Sequence, residues 1–388
     1  MVTSAIAWLC SCLRGLDAGI ETPGPPPVGW DRLLAVVEAE GLAPALALWL
    51  ERHPRPDVPP PVAARLREGF RQALACHVVM SRDLGRLLRR LAEERIPAIP
   101  LKGAFLSETV YPHPALRPLS DIDVLVRAED RLRVDAALRG LGYSPGIDAH
   151  SLAFDLAYDG ATFYDGPGGA RVDVHWRLLN DPRYPWDERE TEAVWRRAVP
   201  VTLAGESTLA LAPEDLVLYL AAHLAIHHGL SGLLWYWDLA LLFDRWATTL
   251  DWDVLVDRAS RWKVRHALAS VLRRLGALFV LPDEVGQVAD RLQPSGPRAM
   301  AVRWMLAHRE SRLRRFEHVL PLLLTDRLPD MLRALGPAVW PSPAWVRARY
   351  GATTSVPGAY LAHCGRLAVV LASTGRSLLM GRASSTQR

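Results

Sequence analysis

The run Ser120-Asp121-Ile122-Asp123-Val124-Leu125-Val126 constrains this chain more than any other stretch. Side chains of a β-strand point alternately to opposite faces, so two carboxylates separated by one apolar residue share a face. Such a pair repels itself unless a cation fills the gap. A second alternating run, Val172-Asp173-Val174, presents a third carboxylate in the same way. Upstream, Ile96–Leu101 reads as a short strand, and Gly103–Val110 opens a helix, with Lys102 at the turn. Three carboxylates on adjacent strands can hold a pair of divalent cations for in-line attack on a phosphate. A glycine between strand and helix lets backbone N–H groups approach a triphosphate.

The order strand, glycine turn, helix, Asp-x-Asp strand, later Asp strand points to nucleotidyl transfer. Leu101-Lys102-Gly103-Ala104, Tyr111-Pro112, Arg117-Pro118, Ser120-Asp121-Ile122-Asp123 and Val172-Asp173-Val174-His175-Trp176-Arg177 together resemble a bacterial family called uncharacterised nucleotidyltransferase, within the DNA polymerase β-like superfamily. The resemblance covers roughly residues 90–245. It implies an α+β fold with a small mixed sheet flanked by helices, Mg²⁺ (or Mn²⁺) as cofactor and an NTP as substrate. It also implies metal-ligand roles for Asp121, Asp123 and Asp173. The superfamily usually carries Gly-Ser or Gly-Gly in the turn, whereas Ala104 follows Gly103 here, so the hydroxyl that often touches a phosphate is missing.

Charge adds little by itself. A net charge of +4 over 388 residues does not form the concentrated basic face that nucleic acid demands. Arginine supplies nearly all of the positive charge, as expected of a GC-rich coding bias, and Lys102 and Lys263 are the two lysines. An ammonium kept beside the glycine turn suits a phosphate, as a compact charge on a flexible stem. Cys10, Cys12, Cys76 and Cys364 are too scattered for a zinc site or a disulfide framework, and reduced thiols in the cytoplasm are the expectation. No window supplies the apolar length of a membrane span; the best, Leu216–Phe243, is broken by His223, His227, His228 and Asp238. A soluble protein with no membrane partner is expected.

Four regions are expected: N-terminal helices over 1–94, a nucleotidyltransferase core over 95–205, a helical domain over 206–290, and a C-terminal helical extension over 291–388. The tail Ala383–Arg388 is expected to be disordered. Residues 62–94 carry apolar positions at helical spacing, and 128–141 form a helix stopped by Gly142. Residues 143–180 alternate and are punctuated by Asp165-Gly166-Pro167-Gly168-Gly169, a hairpin whose returning strand bears Asp173. Pro213-Glu214-Asp215 starts a helical stretch that continues to about residue 280.

In the expected site Asp121, Asp123 and Asp173 bind the ions, while Lys102, Gly103, Arg117 and His175 bind the nucleotide. Each has a plainer reading: an outward polar strand face for the acids, a loop salt bridge for Arg117, a hydrogen-bonded sheet-edge histidine for His175. His223 and His227 stand at zinc-binding spacing, but position 224 is Leu where a metalloprotease helix has Glu, so packing or a place in the substrate pocket is favoured. The expected activity is NMP transfer from an NTP to an unknown hydroxyl-bearing acceptor: a small molecule, sugar, peptide or protein, in preference to nucleic acid. The alternatives are a non-catalytic nucleotide-binding or interaction module that retains the fold, and metal-dependent hydrolysis.

Overall fold

A computed structural model describes residues 2–14, 16, 23–179, 187–292, 296–297, 299–302, 320–350 and 355–383. Three short helices, α1 (Val2–Arg14), α2 (Trp30–Ala39) and α3 (Ala43–Arg52), lead into the long α4 (Pro60–Glu93). The core then runs β1 (Ala98–Pro100), α5 (Lys102–Thr109), β2 (Ile122–Val126), α6 (Arg131–Gly140), β3 (Ser144–Pro145), α7 (Ala149–Tyr158), β4 (Ala161–Asp165) and β5 (Arg171–His175). After α8 (Glu188–Arg197) and a hairpin of β6 (Val199–Leu203) and β7 (Glu206–Ala210), the chain is helical. Its elements are α9 (Pro213–Ile226), α10 (Leu233–Trp246), α11 (Trp252–Arg261), α12 (Arg265–Leu278) and α13 (Asp283–Arg291). Farther on, Leu328–Val339, Pro343–Tyr350 and Val356–Ala383 are helical.

The five core strands form one mixed sheet in the order β1-β2-β5-β4-β3. β2 runs antiparallel to β1 and parallel to β5, while β4 returns antiparallel to β5. Every residue of β2 is buried, as befits a strand with a neighbour on each side. This is the α+β architecture the sequence implies, with helices before and after the sheet. A single buried apolar cluster extends from Ala5 to Leu324 and includes the inward residues of β2 and β5.

Two elements depart from the sequence reading. Residues 149–158 form a helix where an alternating, strand-like stretch was expected. The alternation of Leu152, Phe154, Leu156 and Tyr158 is overridden by Asp148, whose carboxylate accepts from the backbone N–H of His150 and Ser151 and starts the turn. The β6–β7 hairpin was not anticipated. Its two-residue turn, Ala204-Gly205, holds both residues at positive φ (50° and 78°), the geometry that matches strand twist.

That hairpin is seated on α4. Arg89 pairs with Glu206 at 2.6 Å, and Glu108 accepts from the N–H of Ala204 at 2.8 Å. A Cβ on Gly85 of α4 would lie 2.8 Å from the carbonyl oxygen of Ala204. Gly85→Ala is therefore expected to destabilise the fold by about 1–2 kcal/mol, the overpacking cost exceeding the gain in helix propensity. Chemical denaturation checks it, and an unchanged or raised midpoint would refute the contact. Of the tail Ala383–Arg388 expected to be disordered, Ala383 is the last residue of the helix Val356–Ala383, and residues 384–388 lie outside the described residues. No described helix is long and apolar enough to cross a membrane.

Candidate active site

Parallel pairing of β2 with β5 sets Asp123 directly beside Asp173. Both side chains leave the sheet on the same face, and His175, two residues on, follows them by strand periodicity. One ligand atom from each of Asp123, Asp173 and His175 falls within 4.8 Å of the others, a group able to hold a metal ion. Asp121 stands one residue before β2, partly exposed, and accepts from the Ser120 hydroxyl at 2.9 Å.

Asp123 is the hub. It is buried, and its Oδ1 accepts from Lys102 Nζ at 2.7 Å and from His175 Nε2 at 2.9 Å. Burial opposes its charge, but Lys102 and His175 outweigh burial and hold its pKa at about 2. Asp173 fares differently. Its Oδ1 is buried without a hydrogen-bond partner among the described residues, as is Nδ1 of His175. Burial, then the negative charges of Asp123 and Asp121, push the Asp173 carboxyl up to about 6. Burial and Asp123 likewise raise Asp121. Three acids thus converge with one ammonium among them.

The turn before α5 has an unusual backbone. The left-handed residue is Lys102, at φ 45°, not Gly103. A non-glycine residue there costs conformational energy and is retained where the surroundings fix it. Here the ion pair to Asp123 fixes it. Gly103 serves close packing instead: a Cβ would lie 2.7 Å from Cδ2 of Leu119. No side chain caps the start of α5, so its first N–H groups stay available to an anion.

Arg117 differs from the expectation of a guanidinium open to a phosphate. It is buried, with Nε 2.8 Å and Nη2 3.0 Å from the two carboxylate oxygens of Asp238 on α10, and it donates through Nη1 to the Pro118 carbonyl. Tyr111 also donates to Asp238, at 2.6 Å. A charge removed from water must be paired, and the fork of arginine fits a carboxylate. The pair ties both ends of the 111–120 loop to α10, and that loop delivers the chain into β2.

Sequence reasoning missed Asp238 as a partner and Tyr219 altogether. Asp238 is a buried acid within an apolar helix, a pattern that demands a cation and could have prompted the search. Tyr219 on α9 is buried beside Lys102 and Asp123. Burial works against the Lys102 ammonium, but Tyr219 and the nearby carboxylates outweigh it and hold its pKa above the ordinary lysine value. One turn along α9, His223 meets His228, Nε2 to Nε2, at 3.0 Å. His228 stacks on Trp235, with ring centroids 4.2 Å apart, and the Arg117 guanidinium lies over the same indole at 4.7 Å. Burial, reinforced by nearby cations, drives His223 well below the ordinary histidine value and His228 down to about 4, so both are neutral near pH 7.

The structure therefore brings together Asp123, Asp173, His175, Lys102 and the Gly103 turn, leaves Asp121 outside the close group yet near enough for its charge to raise Asp173, and sets Arg117 behind them. A mixed sheet with paired aspartates on neighbouring strands, entered by a strand–turn–helix unit, defines a nucleotidyltransferase-type core. Residues 26–280 match the family model described as uncharacterised nucleotidyltransferase, and the chain belongs to that family. The match reaches well beyond the motif region, taking in α2–α4 before the sheet and α9–α12 after it. No curated protein and no solved structure matches the chain. Family membership supports NMP transfer as the general activity.

Proposed function

We propose that this protein transfers a nucleoside monophosphate from an NTP to a hydroxyl-bearing acceptor, with Asp121, Asp123 and Asp173 as the carboxylates of a divalent-cation site. The observation that carries the reading is the state of Asp173: an orphaned carboxylate oxygen beside two like charges. A cation would relieve that repulsion. The donor set fits, since Mg²⁺ takes carboxylate oxygens and Mn²⁺ also accepts an imidazole such as His175. When bound, such ions neutralise phosphate charge and activate the attacking oxygen.

The chain's own groups have distinct tasks in this reading. Lys102 keeps Asp123 ionised and supplies a positive charge at the mouth of α5. The free N–H groups of α5 bind phosphate oxygens. His175 orients Asp123. Arg117 is a positioning residue, holding the loop that aims Asp121. The acceptor oxygen bonds to the α-phosphorus as the α–β bridge breaks; pyrophosphate leaves with the electron pair, and Asp173 takes the acceptor's proton.

One observation favours a second reading. Lys102 Nζ already supplies a positive charge to Asp123, as it would in a non-catalytic nucleotide-binding module. Calorimetric titration of ATP, GTP, CTP and UTP, with and without Mg²⁺, separates the two. Magnesium-dependent binding lost in Asp121→Asn/Asp123→Asn is expected, followed by incorporation of α-labelled nucleotide into an acceptor. Binding that ignores both the metal and the double substitution would support the module. Release of free NMP without any acceptor would indicate hydrolysis.

A further inference from the structure

Among the described side chains of the C-terminal helix Val356–Ala383, one side is packed and the opposite one is apolar and exposed. Ala359 and His363 are buried, on the side where the Tyr350 hydroxyl from helix Pro343–Tyr350 meets His363 at 3.1 Å. That neighbouring helix is anchored to the core through Trp345, whose ring meets Phe154 of α7 edge-on at 5.4 Å. Across the C-terminal helix, Leu361, Cys364, Gly365, Ala368, Val369 and Ala372 are exposed. Their spacing traces one continuous stripe. Leu361 is 75% and Val369 69% exposed. A contiguous apolar stripe on a helix is normally covered by a partner. Leu332, Val339 and Trp340, in and just after helix Leu328–Val339, are exposed as well, and Trp340 stacks on Tyr360 of the C-terminal helix with ring centroids 4.6 Å apart.

Charge indicates what covers it. Residues 331–388 contain seven arginines and no Asp or Glu. The whole chain carries +4, so the first 330 residues sum to −3. The positive charge is concentrated in the region that exposes apolar side chains. A second copy of this surface would set arginines against arginines. Along the sequence Arg366, Arg376 and Arg382 are spaced by Leu, Val and Ala, without the row of polar or aromatic residues that reads or stacks on bases. A segment that mixes exposed apolar side chains with arginines and carries no acid in its sequence suits an interface that is acidic outside and apolar beneath.

We infer that the C-terminal surface docks on an anionic lipid bilayer, with helix Val356–Ala383 lying along the headgroup plane. Leu361 and Val369 enter the acyl boundary, and the arginines of the segment sit among acidic headgroups. This departs from the expectation of no membrane partner, and it stands independently of the transferase reading.

The test is flotation of the full chain with vesicles of phosphatidylcholine alone or with about one-third phosphatidylglycerol, at about 0.1 M salt. Binding at least tenfold tighter to the anionic vesicles is expected, falling toward the neutral value at about 0.5 M salt. Leu361→Asp/Val369→Asp, at two exposed positions, should abolish binding while leaving the melting temperature unchanged. A polarity-sensitive dye on the exposed Cys364, in a Cys76→Ser background with Cys10 and Cys12 buried, should shift to the blue on anionic vesicles. Equal or absent binding to the two vesicle types overturns the inference, as does flotation of the double variant at the wild-type level. Self-association lost in that variant would assign the stripe to a second copy, and binding to DNA or RNA without vesicle binding would assign the charge to nucleic acid; either result also overturns it.

Discussion

Asp173→Asn is expected to reduce nucleotidyl transfer by at least about 10³-fold while making the metal-free protein more stable. The two effects share one origin. Burial and the charges of Asp123 and Asp121 raise the Asp173 carboxyl from 3.8 to about 6. Between about pH 4 and pH 6 the folded protein therefore binds a proton that the unfolded chain has released. Stability contributed by that proton is complete at the acid end of the window and is lost as pH rises through it. Asparagine has no such titration, so the variant should be the more stable by about 2 kcal/mol above pH 6 and converge with wild type near pH 4. Thermal melts in EDTA across this range check the sign. Added Mg²⁺ or Mn²⁺ should raise the melting temperature of wild type and barely move the variant. A variant less stable than wild type at neutral pH would mean that Asp173 has a cationic partner, and the cation site would lose its main support.

Asp238→Ala is expected to cost about 3–5 kcal/mol, the largest stability loss anticipated for any single change here. It leaves the Arg117 guanidinium and the Tyr111 hydroxyl buried without their acceptor. The 111–120 loop then loses its tie to α10, and NTP binding should weaken along with folding. Arg117→Met/Asp238→Leu separates support from ligand contact. With both charges removed, the buried surface can pack again, and much of the stability should return. A strut can be replaced in this way, so NTP binding should largely return as well. A double variant that is fully folded yet blind to NTP would restore the sequence expectation that Arg117 touches a phosphate.

The legible part of the site was local. Asp121-Ile122-Asp123 and Val172-Asp173-Val174 announce themselves because strand side chains alternate, and β2 and β5 form where that pattern lies. Lys102 drew notice as one of two lysines, and it does meet Asp123. What stayed hidden depends on distant partners or on conflicting local cues. Leu152, Phe154 and Leu156 alternate as in a strand, so the pattern favoured the wrong element until the Asp148 cap decided it. The left-handed conformation of Lys102 was equally out of reach, because the ion pair that holds it is invisible to propensity. Asp238 looked like a flaw in an apolar helix. Its meaning depends on Arg117, 121 residues earlier, and no window along the chain contains both.

The parallel alignment of β2 and β5 also bears on how the chain is made. Neighbouring parallel strands cannot be joined by a tight turn, and here Asp123 and His175 lie 52 positions apart in the chain. A nascent chain that has emerged only through β2 holds Lys102, Asp121 and Asp123 but lacks Asp173, His175 and the Asp238 anchor. Such an intermediate lacks the Asp173–His175 half of the candidate site and the brace of its loop, so under the proposed function nucleotide capture awaits the following helices. On that reading competence arrives with completion of the sheet and its helical cover, and the growing polypeptide stays chemically silent until then.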